Sequence, residues 1–240
     1  TDLTFVTSQS PEELWPCIIE KAYAKKYGSY STIVGGLVDI ALAELTNGIP
    51  ESIELNDNSN LQQIWDGLIE RQKESCFLGA GSPSHPDGDR AKSGTGIVQG
   101  HAYSILKLVQ VDKYKLIKIR NPWGQGEWKG DWSDDSDLWT KRIKNLVGQK
   151  EFDEDGIFWM DFNDFAEEFD TVYVCRNYNA ENGWNSLILE DKWIGEYAEG
   201  LPNSKNKGAK MEKNPQYGLK VNQPGKGFIL LRLADKVNAA

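Results

Sequence analysis

Gly100-His101-Ala102-Tyr103-Ser104 and Ile119-Arg120-Asn121-Pro122-Trp123-Gly124 bracket the stretch whose reading decides the fold. Between them, residues 101–109 and 113–121 are rich in β-branched and aromatic residues and are separated by a short polar link near Asp112, the pattern of an antiparallel hairpin. A histidine stands at the end of one strand and an asparagine at the end of the other. With a thiol, these would make a nucleophile–base–orienter triad. A turn centred on Val111 sets His101 directly opposite Asn121, whereas a two-residue turn at Val111-Asp112 puts them on opposite faces. The catalytic reading therefore requires an odd loop or a β-bulge.

The chemistry of such a pair follows from the groups. The amide oxygen of Asn121 accepts a hydrogen bond from one imidazole nitrogen and fixes the tautomer. The other nitrogen can then take a thiol proton and return it to a leaving amine. An amide orients the ring without neutralising its cation, which suits a thiolate–imidazolium pair. Pro122 biases Asn121 toward extended backbone, Trp123 can cover the His–Asn bond, and Gly124 permits a tight turn. The other histidine, His85, lies in a polar loop and reads as non-catalytic.

Outward from the hairpin, residues 11–27 read as a helix with Pro11 in its first turn, followed by Gly28 as a stop. Residues 59–72 read as a second helix with Leu61, Ile64, Trp65, Leu68 and Ile69 on one face. Residues 76–80, 156–160 and 171–176 read as strands, 81–96 as a loop and 163–169 as a short helix. Beyond residue 178 come short strand candidates at 184–189, 193–197, 217–221 and 228–233 between Gly/Asn/Pro-rich loops, which suggests part of a β-sandwich. The expected division is 1–178 and 179–240. Residues 1–6 read as an interior strand, and the chain as a segment of a longer protein.

The chain has 240 residues, 39% hydrophobic and 11% aromatic, enough for real cores. A net charge of −9 argues against a nucleic-acid partner, which needs a basic patch. Cys17, Cys76 and Cys175 show neither zinc nor redox spacing; an odd count without CxxC fits a reducing, cytoplasmic setting. No apolar run approaches the roughly 18 residues a membrane span needs. Two acidic clusters, one at Asp131, Asp134, Asp135 and Asp137 and the other at Glu151, Asp153, Glu154 and Asp155, read as solvated loops or as a hard-cation site.

Further motifs add specificity. Leu14-Trp15, Glu20-Lys21-Ala22-Tyr23-Ala24-Lys25 and Gly28-Ser29-Tyr30 precede the two stretches quoted first; Glu127-Trp128-Lys129-Gly130-Asp131-Trp132-Ser133-Asp134 and Asp155-Gly156-Ile157-Phe158-Trp159-Met160 follow them. In this order the chain resembles the calpain protease core, in particular its second, His- and Asn-bearing subdomain. Trp184, Trp193 and Asn214-Pro215-Gln216-Tyr217 resemble the start of the C2-like β-sandwich that follows it.

The resemblance implies an α+β fold: a papain-like half-domain with an antiparallel sheet or barrel and flanking helices, followed by part of a β-sandwich. It implies limited, calcium-dependent intracellular proteolysis of protein substrates by a Cys–His–Asn mechanism, with His101 as base, Asn121 as orienter and Trp123 as shield. It also implies calcium held by Glu127, Asp134 and Asp155, with a backbone carbonyl at Asp153. Where the familiar pattern has Glu two residues after Asp155, this chain has Ile157, one carboxylate fewer. The nucleophile is expected on an upstream subdomain that is absent here, with all three cysteines as core residues, so this chain alone is expected to be inactive.

Two other readings compete. One is a non-catalytic calpain-like protein. The other is an interaction module for protein or phospholipid, hinted at by Trp123, Trp128 and Trp132 and by Lys205, Lys207, Lys210 and Lys213.

Overall fold

The hairpin forms the middle of a six-stranded, wholly antiparallel sheet in the computed structural model, which describes residues 6–231 apart from 9, 11, 180, 182, 193, 196, 197, 201, 203 and 204. The strands are β1 (Ile49–Glu54), β2 (Phe77–Gly81), β3 (Ala102–Val111), β4 (Tyr114–Arg120), β5 (Ile157–Asp161) and β6 (Thr171–Arg176), in spatial order β1-β6-β2-β3-β4-β5. The helices are α1 (Trp15–Lys26), α2 (Val38–Thr46), α3 (Leu61–Lys73), α4 (Lys141–Val147) and α5 (Phe162–Glu168). The α+β expectation is met, with an antiparallel sheet and flanking helices. The chain separates into two units, one running through Asn177 and the other beginning at Tyr178.

One face of the sheet carries the main core. Leu78 and Ala80 of β2, Tyr103, Ile105 and Leu108 of β3, Ile117 and Ile119 of β4, Phe158 and Met160 of β5, and Val172 and Val174 of β6 bury against Trp65 and Leu68 of α3 and Phe162 and Phe165 of α5. Each large side chain so buried is worth about 1.5–3 kcal/mol. Helix α3 begins where Asn60 accepts the Gln63 N–H at 3.1 Å, and α5 where Asp161 accepts the Asn163 N–H at 2.9 Å. A second cluster on the opposite face joins Val111, Leu116 and Trp159 to Trp132 and to Ile143 and Val147 of α4. Strand β4 is buried on both faces, so its Leu116, Ile117 and Ile119 are all fully covered.

Several boundaries differ from the sequence reading. Helix α1 begins at Trp15 rather than residue 11, with Pro16 in its first turn. A helix from residue 11 would place Pro16 in its interior, where it lacks an N–H and clashes with the preceding turn. Its apolar residues Leu14, Trp15 and Ile18 stay exposed, and α1 packs against the 3-10 turn Tyr30–Ile33. Strand β1 has no counterpart in the sequence reading. Pro50 lies in it, and the strand tolerates proline because it is an edge paired only with β6. Helix α4 also escaped sequence reading, since seven residues are too few to show a helical period.

In the second unit, Tyr178, Trp184 and Phe228 stack, with ring centroids 4.1 Å apart for Tyr178–Trp184 and 5.1 Å for Tyr178–Phe228. Glu199 accepts from the Lys210 N–H at 2.7 Å and from Lys213 Nζ at 2.8 Å. The strands expected at 184–189 and 217–221, and over the described part of 228–233, are not formed. A strand needs a partner for its ladder, and Leu187, Leu219, Val221 and Ile229 stand exposed instead. The expected strand at 193–197 rests on Trp193 and Tyr197, which lie outside the described residues, as do residues 1–5 of the expected first strand.

Candidate active site

The hairpin turn is the two-residue Asp112-Lys113, with Asp112 at φ 54°. From Val111↔Tyr114 to Lys107↔Lys118 the register, if continued, would put Asn121 opposite Ser104 and turn His101 to the other face. A bulge between Ile105 and Lys107 resets it to Ile105↔Ile119 and Ser104↔Arg120. Carried one residue further, Asn121 comes opposite Tyr103 and shares a face with His101. The turn is thus not centred on Val111. The bulge at Leu106 meets the geometric requirement instead.

The two side chains meet. His101 Nε2 lies 3.0 Å from Asn121 Oδ1. Asn121 is fully buried, and its amide is completely used. Oδ1 also accepts the Trp123 N–H at 3.1 Å, while Nδ2 donates to the carbonyls of Gln125 at 2.8 Å and Gly126 at 3.2 Å. Two carbonyls facing one end of the amide assign that end as NH₂, which makes the other end an acceptor and Nε2 of His101 a donor. His101 Nδ1 has no hydrogen-bond partner among the described residues. The ring lies 4.4 Å from Trp123 at 47° and edge-on to Tyr103 at 5.0 Å.

The loop beneath depends on close backbone approach. Gly156, at φ +81°, accepts the Asn121 N–H at 2.8 Å, and a Cβ there would lie 2.9 Å from Gln125 N. Burial lowers the His101 pKa, opposed in part by the Asn121 hydrogen bond and the Asp89 charge.

None of the cysteines belongs to this site. Cys175 is buried and pairs in register with Phe77, with Cys76 next to it, at the end of β2 remote from His101. Ser82 lies five positions beyond Phe77 along this strand, roughly 17 Å at ~3.3 Å per residue. Burial raises the Cys76 thiol pKa, which makes it less reactive. Cys17 Sγ donates to Val6 O at 3.1 Å. Trp128 and Trp132 are core residues rather than a binding surface: Trp128 Nε1 donates to Asp131 O at 2.7 Å, and Trp132 packs on Tyr114 and Trp139. Trp123 alone of the three is half exposed.

The residues of the calcium expectation offer carboxylate oxygens but do not gather as a site among the described residues. Asp134 Oδ1 is buried without a hydrogen-bond partner. Its pKa is pushed up to about 7 by burial and by Glu127, Asp155 and Asp135, against the opposing charge of Lys118. Burial also raises the Glu127 pKa. Such mutually repelling oxygens suit a hard cation. Yet Glu127 Oε1 accepts the Gly156 N–H at 2.7 Å, Asp155 Oδ1 accepts the Ile157 N–H at 2.9 Å, and the Asp153 carbonyl accepts the Asp155 N–H at 2.8 Å. Among the described residues no three His, Cys, Asp or Glu side chains gather as a metal site.

Several contributors were not foreseen: Ser82, the Tyr103 hydroxyl, Asp89, and the Gln125 and Gly126 carbonyls. Tyr103 stands within the quoted motif, but Ser82 lies in a Gly/Ser/Pro-rich stretch with no local signal.

The antiparallel sheet with flanking helices is consistent with a papain-like half-domain, and its central hairpin ends in the hydrogen-bonded His101–Asn121 pair. Residues 1–176 match the family described as calpain family cysteine protease, and the chain belongs to that family. It is 43% identical over 223 residues to the calpain-type cysteine protease DEK1 of Zea mays, covering 90% of this chain and 10% of that protein. It is 34% identical over 243 residues to human Calpain-14, covering 96% and 34%, and 30% identical over 246 residues to Calpain-B of Drosophila melanogaster, covering 93% and 26%. The chain thus spans about a tenth of the first relative, about a third of the second and about a quarter of the third.

Proposed function

We propose that this chain supplies the base and orienter of a Cys–His–Asn endopeptidase whose thiol comes from a polypeptide segment outside these 240 residues. The observation that carries this reading is the 3.0 Å His101 Nε2–Asn121 Oδ1 contact, with Nδ1 left free beside it. Holding the proton on Nε2 makes Nδ1 the base. Nδ1 takes the proton of the incoming thiol, and the thiolate attacks the scissile carbonyl. Nδ1–H then protonates the leaving amine, and Nδ1 next deprotonates the water that cleaves the thioester. Trp123 keeps water from the Nε2–Oδ1 bond, and Asn121 stays neutral so that the imidazolium persists.

Protein substrates and limited cytoplasmic proteolysis are part of the same proposal; no described helix is long and apolar enough to cross a membrane. Calcium would be held by Glu127, Asp134, Asp155 and the Asp153 carbonyl and would supply positive charge to oxygens that otherwise repel. The non-catalytic reading gains little from a fully hydrogen-bonded Asn121, since a silent site has no chemical need of a fixed tautomer. The phospholipid reading loses support from Lys213, which is paired with Glu199.

The test is hydrolysis of a fluorogenic peptide. The 240-residue chain is expected to show none. The polypeptide extended upstream to a thiol-bearing segment is expected to show turnover that His101→Ala abolishes. Turnover by the short chain, or extended-chain turnover indifferent to His101, would sink the proposal.

A further inference from the structure

His101 stands one residue outside β3, where the ladder that sets strand geometry has ended. Strand β2 pairs with β3 as far as Gly81↔Ala102, so Ser82 and His101 are the next pair along. In a hydrogen-bonded antiparallel pair each residue donates its N–H to the other's carbonyl. Here one half of that exchange is present: the Ser82 N–H donates to His101 O at 3.0 Å. The other half is made by a side chain, since the His101 N–H donates to Ser82 Oγ at 3.0 Å.

The same hydroxyl donates onward to Val98 O at 2.7 Å, which aims a lone pair back at His101. Val98 is held at its other end as well, its N–H donating to the Tyr103 hydroxyl at 2.9 Å. Gly100, at φ +58°, donates to Pro83 O at 2.8 Å, closing the turn that delivers His101. Ser82 is itself buried at 6% exposure.

We infer that Ser82 is a positioning residue for His101: its hydroxyl replaces the missing last rung of the β2–β3 ladder and fixes the backbone from which the imidazole reaches Asn121. The assignment deepens the peptidase reading and rests on it for its catalytic meaning, though not for its geometry. Asn121 is anchored by its own loop, so the separation of the pair depends on what holds the His101 main chain. Without the hydroxyl, the His101 N–H and the Val98 carbonyl lose a shared partner in a buried place, and the His101 backbone keeps only the Ser82 N–H bond to its carbonyl and the Gly100 link.

NMR of the imidazole in the 240-residue chain tests this. In the wild type, the Nε2 proton is expected to exchange slowly, protected by Asn121. In Ser82→Ala, with the amide dispersion of the sheet retained, it is expected to exchange at least tenfold faster, and Ser82→Thr is expected to restore slow exchange. Wild-type exchange in a folded Ser82→Ala chain overturns the assignment, as does a Thr variant as fast as Ala.

Should Ser82→Ala not fold, the wild type decides. The His101 backbone amide must be protected as strongly as those inside β3, and loop-like exchange overturns the proposal. Because these readouts follow a proton and not turnover, an extended chain without peptidase activity would refute the enzyme reading and leave Ser82 in place.

Discussion

Leu106, not the hairpin turn, puts His101 and Asn121 on one face. The two are diagonal neighbours rather than a directly opposed pair: Asn121 comes opposite Tyr103, and the bulged residue reverses the parity set by the Asp112-Lys113 turn. Deleting Leu106 should therefore separate the pair. The expected result is loss of the protected Nε2 proton by NMR, with β2–β3 and β4–β5 cross-strand contacts retained. A Leu106-deleted chain that keeps that proton would show that the bulge is incidental.

Asn121 uses all four of its amide hydrogen-bonding positions in full burial. Asn121→Ala leaves two carbonyls and two donors without their partner, and each unsatisfied buried group costs about 1–3 kcal/mol. Some relaxation is expected, so denaturant unfolding should show a loss of about 2–4 kcal/mol. Asn121→Asp should be no milder, because a carboxylate oxygen would face the Gln125 and Gly126 carbonyls. A loss below the first value would mean the amide is not held as described.

The His101 pKa is lowered from 6.5, chiefly by burial. The native state then binds fewer protons than the unfolded chain between the two pKa values, so stability rises with pH across that interval. It is lost as pH falls from 6.5 toward the folded value. An imidazole NMR titration should place His101 below 6.5, and Trp123→Ala, which uncovers the ring, should move it upward. Titration at or above 6.5 in the wild type would contradict the burial described here.

Asp134 gives a two-signed test of the calcium proposal. Its buried, unpartnered oxygen lies in a field of like charge, so Asp134→Asn should raise the melting temperature in calcium-free buffer at neutral pH. The same variant should lose any calcium-dependent rise in melting temperature and any heat of calcium binding shown by the wild type. A variant that retains calcium binding would remove Asp134 from the ligand set.

Glu51 joins β1 to α3 and β6. It pairs with Arg71 and, at 2.7 Å, with Arg176, which in turn meets Glu74 at 3.0 Å. Burial alone would raise its pKa, but the two guanidinium hydrogen bonds outweigh this and lower it from 4.5. Glu51→Gln leaves two half-buried guanidinium groups under-paired and should cost about 1–3 kcal/mol in denaturant unfolding. The contribution of Glu51 is present above 4.5 and is lost as pH falls through its lowered value, so the difference from the variant should shrink in acid. An unchanged difference there would assign the loss to packing.

Strands β3, β4, β5 and β6 and helix α3 were legible because long or strongly patterned segments declare their period. Strand β1 and helix α4 were not, because a proline masks the one and seven residues are too few for the other. The short strand candidates after residue 178 show the limit of local pattern: alternation makes a strand only where another strand accepts its hydrogen bonds. Within the site, His101, Asn121 and Trp123 could be picked out by residue type and spacing. Ser82 could not, since a serine acting as a ladder rung looks like any loop serine.

The sequence by itself determined the chemistry available: an imidazole, an amide and an indole at the ends of two β-rich segments, no thiol in a reactive context, and a surplus of carboxylates on the adjoining loops. Only the tertiary structure decided which of these groups meet. Register parity rests on one bulged residue, tautomer on which carbonyls face Asn121 Nδ2, and the reach of His101 on a hydroxyl 19 residues away in the chain. These are properties of paired backbones and of through-space hydrogen bonds, which side-chain identity along one chain does not contain.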